Sequence, residues 1–439
     1  MTRTNSPADP DETAKSAALR HLMDAEREAA KMPGLEGVSP RTVEHVGVIG
    51  AGTMGVGIAT CFANAGYRVT LVEQDEAGAQ RGLDRMRDIQ GRSVKSGTID
   101  EDEARRRVAR VTPTADLNKL ADADLVVEAV FEDMQVKIDL LRRLDGVVRD
   151  GAILASNTSY LDLDQMAKAT RRPRDVVGLH FFGPAHVMRL LEIVQGDATS
   201  TTAMATAIAI GKKLRKVAVV ARVGEGFIGN RIYAAYRRQC ELMLEEGTYP
   251  EDVDAALVKF GFAMGPFAVS DMTGLDIAWK MRQRLSPTRD PRSRYVELAD
   301  RLCEQGRFGQ KTGAGWYRYT PGERKGAPDP GVRAMIDAAS AAKGIARRAF
   351  APNAIVRRAL VTMVSEAALL LEEGIAQRAS DVDLVMVNGY GFPSHEGGPL
   401  FWASRQDRAE LLAELDALAE VSGFGFRKGD VAAAIDALR

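Results

Sequence analysis

The chain has 439 residues, long for one hydrophobic core and suited to two or three domains. Its 59 Lys and Arg nearly balance 60 Asp and Glu, so no global field selects nucleic acid or a membrane surface as partner. Cys61, Cys240 and Cys303 are far apart and odd in number, which argues against a disulfide framework or a zinc site, and no apolar run approaches the roughly 18 residues of a membrane span.

Residues 1–43 read as a leader. The start is polar and acidic, without the apolar core of a signal peptide. A helix is expected over 14–32, with Leu19, Leu22, Met23 and Ala30 on one side and Pro33-Gly34 ending it. Together with the sparse cysteines, this start sets the expected location as a reducing one, the cytoplasm, and no metal is expected.

Residues 44–225 alternate strand-like and helical runs. The strands are Val46–Ile49, Val69–Val72, Leu125–Val127, Ile153–Ala155, Val176–His180 and Leu190–Val194, the pattern of an α/β, mostly parallel, doubly wound sheet. The first strand breaks into Gly50-Ala51-Gly52-Thr53-Met54-Gly55 and restarts as a helix, the dinucleotide fingerprint of a Rossmann-type domain. Gly50 allows the turn, Gly52 lets a pyrophosphate approach the backbone, and Gly55 lets helix and strand pack closely. Glu73 ends the second strand, 21 residues past the middle glycine, where an acid holds the adenosine ribose hydroxyls. It would repel a 2′-phosphate, so NAD is favoured over NADP. The bland alternative is a surface carboxylate at a strand end.

Beyond Val223-Gly-Glu-Gly-Phe-Ile-Gly-Asn230 the pattern turns helical, opening with a long helix over 231–246. Residues 226–320 form a first helical domain, 321–352 a linker rich in Pro and Gly, and 353–439 a second helical domain. The second copies the first. Leu244-Glu-Glu-Gly247, Glu251-Asp-Val-Asp254, Gly261-Phe262 and Gly265-Pro-Phe267 reappear in order as Leu371-Glu-Glu-Gly374, Ser380-Asp-Val-Asp383, Gly391-Phe392 and Gly398-Pro-Leu400, at an offset growing only from 127 to 133. Asn230 has no counterpart, since that offset lands on Arg357.

Five histidines occur, and His180 stands at the C-terminal end of a sheet strand, where open α/β sheets bind their ligands. A histidine there can take the proton of an alcohol while hydride leaves the same carbon; the alternative is a satisfied structural histidine. Glu192, embedded in Leu190-Leu-Glu-Ile-Val194, is a carboxylate among aliphatics and needs a partner. His180 would serve, and Arg189 is the competing one.

The chain resembles the L-3-hydroxyacyl-CoA dehydrogenases over roughly 44–320. The motifs are Gly50-Ala-Gly-Thr-Met-Gly55, Val127-Glu-Ala-Val-Phe-Glu132, Ala155-Ser-Asn-Thr-Ser159, Gly178-Leu-His-Phe-Phe182, Gly226-Phe-Ile-Gly-Asn-Arg231 and Gly309-Gln-Lys-Thr-Gly-Ala-Gly-Trp-Tyr317. The leader Asp24–Gly34 and the tail Gly389–Pro399 look more narrowly like the multifunctional β-oxidation enzymes, and the chain looks like their dehydrogenase part standing without the hydratase domain. The resemblance implies NAD as cofactor and (S)-3-hydroxyacyl-CoA as substrate. It implies His180 as general base, Glu192 as its orienting partner, Ser159 as hydrogen-bond donor to the substrate oxygen, and Asn230 as a substrate contact. Glu132, Lys137, Ser159 and Lys311 match cofactor positions, and Lys137, Ser159 and Asn230 match CoA-substrate positions. From the residues alone, Ser159 could be a turn or N-cap residue, Asn230 a cap for the helix after it, and the lysines surface charge. Gly183 departs from the family, whose short members usually carry Asn and whose peroxisomal type often carries Ser. A separate enoyl-CoA hydratase or thiolase is a possible partner, and the duplicated tail implies a monomer held by an internal pseudo-dimer. Two other readings stay open: a dehydrogenase of a smaller hydroxy acid, and a non-catalytic NAD-binding subunit of a β-oxidation complex.

Overall fold

A computed structural model describes residues 10–29, 31–323 and 325–438. The chain forms two compact units. One comprises Arg20–Asn230 with Glu373–Gly389; the other comprises Arg231–Glu372 and Tyr390–Arg439, with the start of the chain up to Leu19.

The first unit is built on β1 (His45–Ile49), β2 (Arg68–Val72), β3 (Val111–Thr114), β4 (Leu125–Glu128), β5 (Ile153–Ser156), β6 (Val176–Phe181), β7 (Leu190–Gln195) and β8 (Val217–Arg222), in the spatial order 3-2-1-4-5-6-7-8. β6 and β7 are antiparallel and every other neighbouring pair is parallel. The inner strands are buried along their length, which is why they read as unbroken apolar runs. Sequence periodicity missed β3 and β8. β3 is a short edge strand with Pro113 inside it, a residue that cannot donate to a ladder and is tolerated only at an edge.

In chain order the helices are α1 (Pro10–Ala29), α2 (Thr53–Asn64), α3 (Glu76–Lys95), α4 (Glu101–Ala109), α5 (Met134–Val147), α6 (Leu163–Lys168) and α7 (Thr201–Lys213). Side-chain caps set several starts: Asp75 accepts from Gly78 N, Asp133 from Val136 N and Ser200 from Ala203 N. Val46, Val48, Ile58, Phe62, Leu71, Val127, Leu179 and Ile193 lie in one core. The leader helix starts and ends earlier than its expected 14–32 span.

The helical tract continues as α8 (Gly229–Glu246), α9 (Pro250–Phe260), α10 (Pro266–Thr273), α11 (Leu275–Leu285), α12 (Leu298–Glu304), the β9 (Tyr317–Arg318) and β10 (Ala327–Pro328) ladder, α13 (Pro330–Ala342), α14 (Pro352–Glu372), α15 (Ala379–Tyr390), α16 (Pro399–Ser404), α17 (Arg408–Ser422) and α18 (Val431–Asp436). The repeated motifs recur on matching elements: α8, α9 and α10 run long, medium and short, as do α14, α15 and α16. Within the helical unit, Phe262 of the first copy packs edge-on against Phe392, its counterpart in the second, with ring centroids 5.4 Å apart. The expected linker at 321–352 is corrected by α13. Its prolines and glycines are start signals: Asp329 caps the helix by accepting from Gly331 N, and Pro330 occupies the first turn, where no N–H is needed.

Candidate active site

β1 ends and the chain turns through Gly50 at φ +96°. A Cβ at Gly50 would lie 2.7 Å from the Ala129 carbonyl oxygen, and one at Gly55 would lie 1.7 Å from the Gly50 carbonyl oxygen, so both places require glycine. Among the described residues nothing lies within 4 Å of where a Cβ on Gly52 would stand. Gly52, the N-cap of α2, offers no side-chain cap, and among the described residues the first N–H groups of the helix are left for an anion. Glu73 stands against this turn: its Oε2 accepts from Ala51 N at 2.7 Å. An open glycine turn, an uncapped helix start and an adjacent carboxylate fit a dinucleotide.

His180 and Glu192 are cross-strand partners of the antiparallel β6–β7 pair. Nδ1 of His180 lies 2.8 Å from Glu192 Oε2, and both residues are buried. Oε1 of Glu192 accepts from Ile228 N and Gly229 N, each at 3.1 Å. This carboxylate is therefore satisfied on both oxygens. Arg189, its alternative partner, binds Glu26 at 3.1 Å instead.

The other imidazole nitrogen, Nε2, lies 3.3 Å from Ser159 Oγ. Ser159 belongs to the loop after β5, which Glu132 gathers: Oε1 accepts from Thr158 Oγ1 at 2.7 Å, Ser159 N at 2.8 Å and Tyr160 N at 3.1 Å. Asn157 Oδ1 accepts from Phe181 N at 2.8 Å, tying the loop to β6 beside His180. Asn157, Thr158 and Glu128 were not singled out from the sequence, although each lies in a quoted motif. Their signal is polar residues clustered at the ends of adjacent strands.

Lys137 is not the surface charge its residue type suggests. It is 1% exposed, with Nζ 2.8 Å from both oxygens of Glu128 and 3.4 Å from Glu132 Oε2. Glu128 also accepts from Ser156 Oγ, its register partner on β5. Burial pushes the Glu128 carboxyl up, and Lys137 opposes that. Its ammonium is thus paired with two carboxylates beside the Ser159 loop, which replaces the reading as surface charge. Asn230 Nδ2 lies 3.5 Å from the Ser159 carbonyl oxygen. Because α8 already begins at Gly229, Asn230 is inside the helix and does not cap it. Lys311 belongs to the helical unit, where it pairs with Asp276 of α11 at 2.5 Å. A side chain at Gly183 would first meet Met54 Sδ, 3.4 Å from its Cβ.

Among the described residues no cluster of His, Cys, Asp and Glu could hold a metal, and no helix is long and apolar enough to cross a membrane.

The 3-hydroxyacyl-CoA dehydrogenase NAD-binding domain family matches residues 45–233, and the C-terminal domain family of the same enzymes matches 226–319. The chain is 39% identical to the peroxisomal bifunctional enzyme of Danio rerio over 423 residues, 92% of this chain and 58% of that protein. It thus spans a little over half the length of the curated relatives it matches. Among solved structures, FadB2 of M. tuberculosis is 39% identical with a TM-score of 0.59, covering 64% of this chain and 100% of that one. The dehydrogenase part of multifunctional enzyme 1 from C. elegans is 28% identical with a TM-score of 0.64, covering 97% and 96%. These relatives correct the expected cytoplasmic location, since several are named as peroxisomal or glyoxysomal enzymes. Sparse cysteines report a reducing environment and carry no organelle address. With a dinucleotide cradle, two matching domain families and a relative matched over its full length, the chain belongs to the 3-hydroxyacyl-CoA dehydrogenase family.

Proposed function

We propose that this chain oxidises (S)-3-hydroxyacyl-CoA to 3-oxoacyl-CoA with NAD, a step of fatty-acid β-oxidation. The carrying observation is His180, with one ring nitrogen on a buried carboxylate and the other beside a serine hydroxyl. Nε2 takes the proton of the 3-hydroxyl, and Glu192 stabilises the imidazolium that forms. Bound NAD supplies the acceptor for the hydride that leaves C3. Ser159 Oγ–H donates to the substrate oxygen and aligns it with Nε2, while Asn230 fixes the substrate beside Ser159. Glu132 orders the Ser159 loop, and Lys137 acts through Glu132 and Glu128. The turn Gly50-Ala51-Gly52-Thr53-Met54-Gly55 receives the pyrophosphate, Glu73 the adenosine ribose hydroxyls, and Lys311 is the remaining cofactor contact.

The domain divisions, 44–225, 226–320 and 353–439 with the leader before them, are part of this reading. So is a monomer whose second helical copy takes the place of a partner subunit. The test is NADH formation with short-, medium- and long-chain (S)-3-hydroxyacyl-CoA beside a small hydroxy acid lacking CoA. Turnover of the CoA esters supports the reading; turnover of the small acid alone, or of neither, rejects it.

A further inference from the structure

His180 is held between two aromatic rings. Its ring centroid lies 4.4 Å from that of Phe182 and 5.7 Å from that of Phe227. Phe227 is fully buried and has φ +48°, a left-handed conformation that a bulky residue keeps only where its surroundings enforce it. Phe227 also immediately precedes the two N–H groups that hold Glu192. Whatever fixes this turn therefore fixes both members of the His180–Glu192 pair.

Part of what fixes it comes from far along the chain. Glu373–Gly389, drawn from the second helical copy, belongs to the same compact unit as the sheet. Ile375 O accepts from Arg222 N at 2.9 Å and Ala376 forms an antiparallel bridge with Ala221, so the segment pairs with β8 at the edge of the sheet. The Ile375 side chain covers Gly224: a Cβ there would lie 2.5 Å from Ile375 Cδ1 and 3.2 Å from Cγ1. At the other end of the segment, a Cβ on Gly389 would lie 2.5 Å from Leu190 Cδ2 and 3.6 Å from Phe182 Cε1. The segment thus packs against Gly224, whose carbonyl oxygen accepts from Phe227 N at 3.1 Å, and against Leu190 next to Phe182. The leader secures it in turn, with His21 Nε2 of α1 2.8 Å from Asp383 Oδ2 and Arg378 donating to the Lys31 carbonyl oxygen, just past α1, at 2.9 Å.

We infer that residues 373–389 are a positioning element for His180, with Ile375 acting through the Gly224–Gly229 turn and Phe227, and Gly389 through Leu190 and Phe182. In this chain the second helical copy does more than pack against the first. It supplies support for the base, a role that rests on the proposal that His180 is that base.

The five histidines of the full-length chain allow a direct test by nuclear magnetic resonance of histidine-labelled protein, with His180→Gln identifying the His180 signal. In Ile375→Ala and in Gly389→Val the His180 ring resonances should move while those of His45 stay. With (S)-3-hydroxyacyl-CoA, kcat should fall about 10- to 100-fold, the usual effect of misplacing a catalytic group from a distance. KM and NAD affinity should hold. Ile375→Val, which keeps the branched wedge, should restore both signals and rate, and Gln377→Ala in the same segment should behave as wild type. His180 resonances unchanged in both disruptive variants would overturn the inference, whatever the rate does. If the wild type turns over no hydroxyacyl-CoA, the proposed function fails, and the resonances alone still decide whether the segment positions His180.

Discussion

His180 and Glu192 face each other directly across the antiparallel pair β6 and β7, with Nδ1 2.8 Å from Oε2. Glu192 binds the start of α8 with its other oxygen, so one carboxylate both orients the imidazole and anchors the turn beside it. Glu192→Gln keeps the shape and removes the charge. It should lower kcat, because the imidazolium formed on proton abstraction loses its counter-charge, while KM changes little. Steady-state kinetics checks this. Retained kcat with a lowered melting temperature would make Glu192 a purely structural partner.

Glu73 lies against the glycine turn through Ala51 N. Glu73→Ala should raise the NAD dissociation constant and relax discrimination against NADP, since the group that accepts from the ribose hydroxyls and repels a 2′-phosphate is gone. Titration of both cofactors measures the ratio. An unmoved ratio would remove Glu73 from cofactor selection.

Asp254, buried in the helical unit, accepts from Phe267 N at 3.1 Å, Ala268 N at 2.9 Å and Tyr317 Oη at 2.8 Å. Burial pushes its carboxyl from an ordinary 3.8 up to about 6. Between these values the unfolded chain releases a proton that the folded chain keeps, so this group's stabilising contribution is full below pH 3.8 and lost as pH rises through 6. The loss is about 3 kcal/mol. Denaturant unfolding of wild type and Asp254→Asn from pH 4 to 7 should therefore show the wild type losing most of that amount relative to the variant. A constant gap would show that Asp254 titrates normally.

The Phe262–Phe392 contact pairs equivalent positions of two copies, as an isologous interface between subunits would. Light scattering should find the full-length chain monomeric. In the second copy Leu369, Leu370 and Val385 are buried and Leu371 and Phe401 half-buried, the apolar positions expected to serve this interface. Deleting residues 332–439 should therefore expose an apolar patch, causing association and loss of activity. A full-length homodimer, or an active monomeric truncation, would contradict the internal pseudo-dimer.

Local signals carried much of this architecture. Buried parallel strands need unbroken apolar runs and the phosphate turn needs glycines, so both were legible, as were His180 and Glu192 as residues needing partners. Two features were not. Lys137 looks like any helix-surface lysine until the fold brings Glu128 and Glu132 to it. The pairing of Ala376 with Ala221 joins segments 155 residues apart and leaves no periodic trace. Proline and glycine near 330 misled because the same residues that break structure in a linker also start a helix.

Proton abstraction by His180 is the step on which the proposed reaction depends. The most direct measurement is kcat of His180→Gln with (S)-3-hydroxyacyl-CoA, beside NADH affinity measured by fluorescence. The variant should lose roughly 10²- to 10⁴-fold in kcat with NADH affinity nearly intact. A kcat equal to that of the wild type would contradict it.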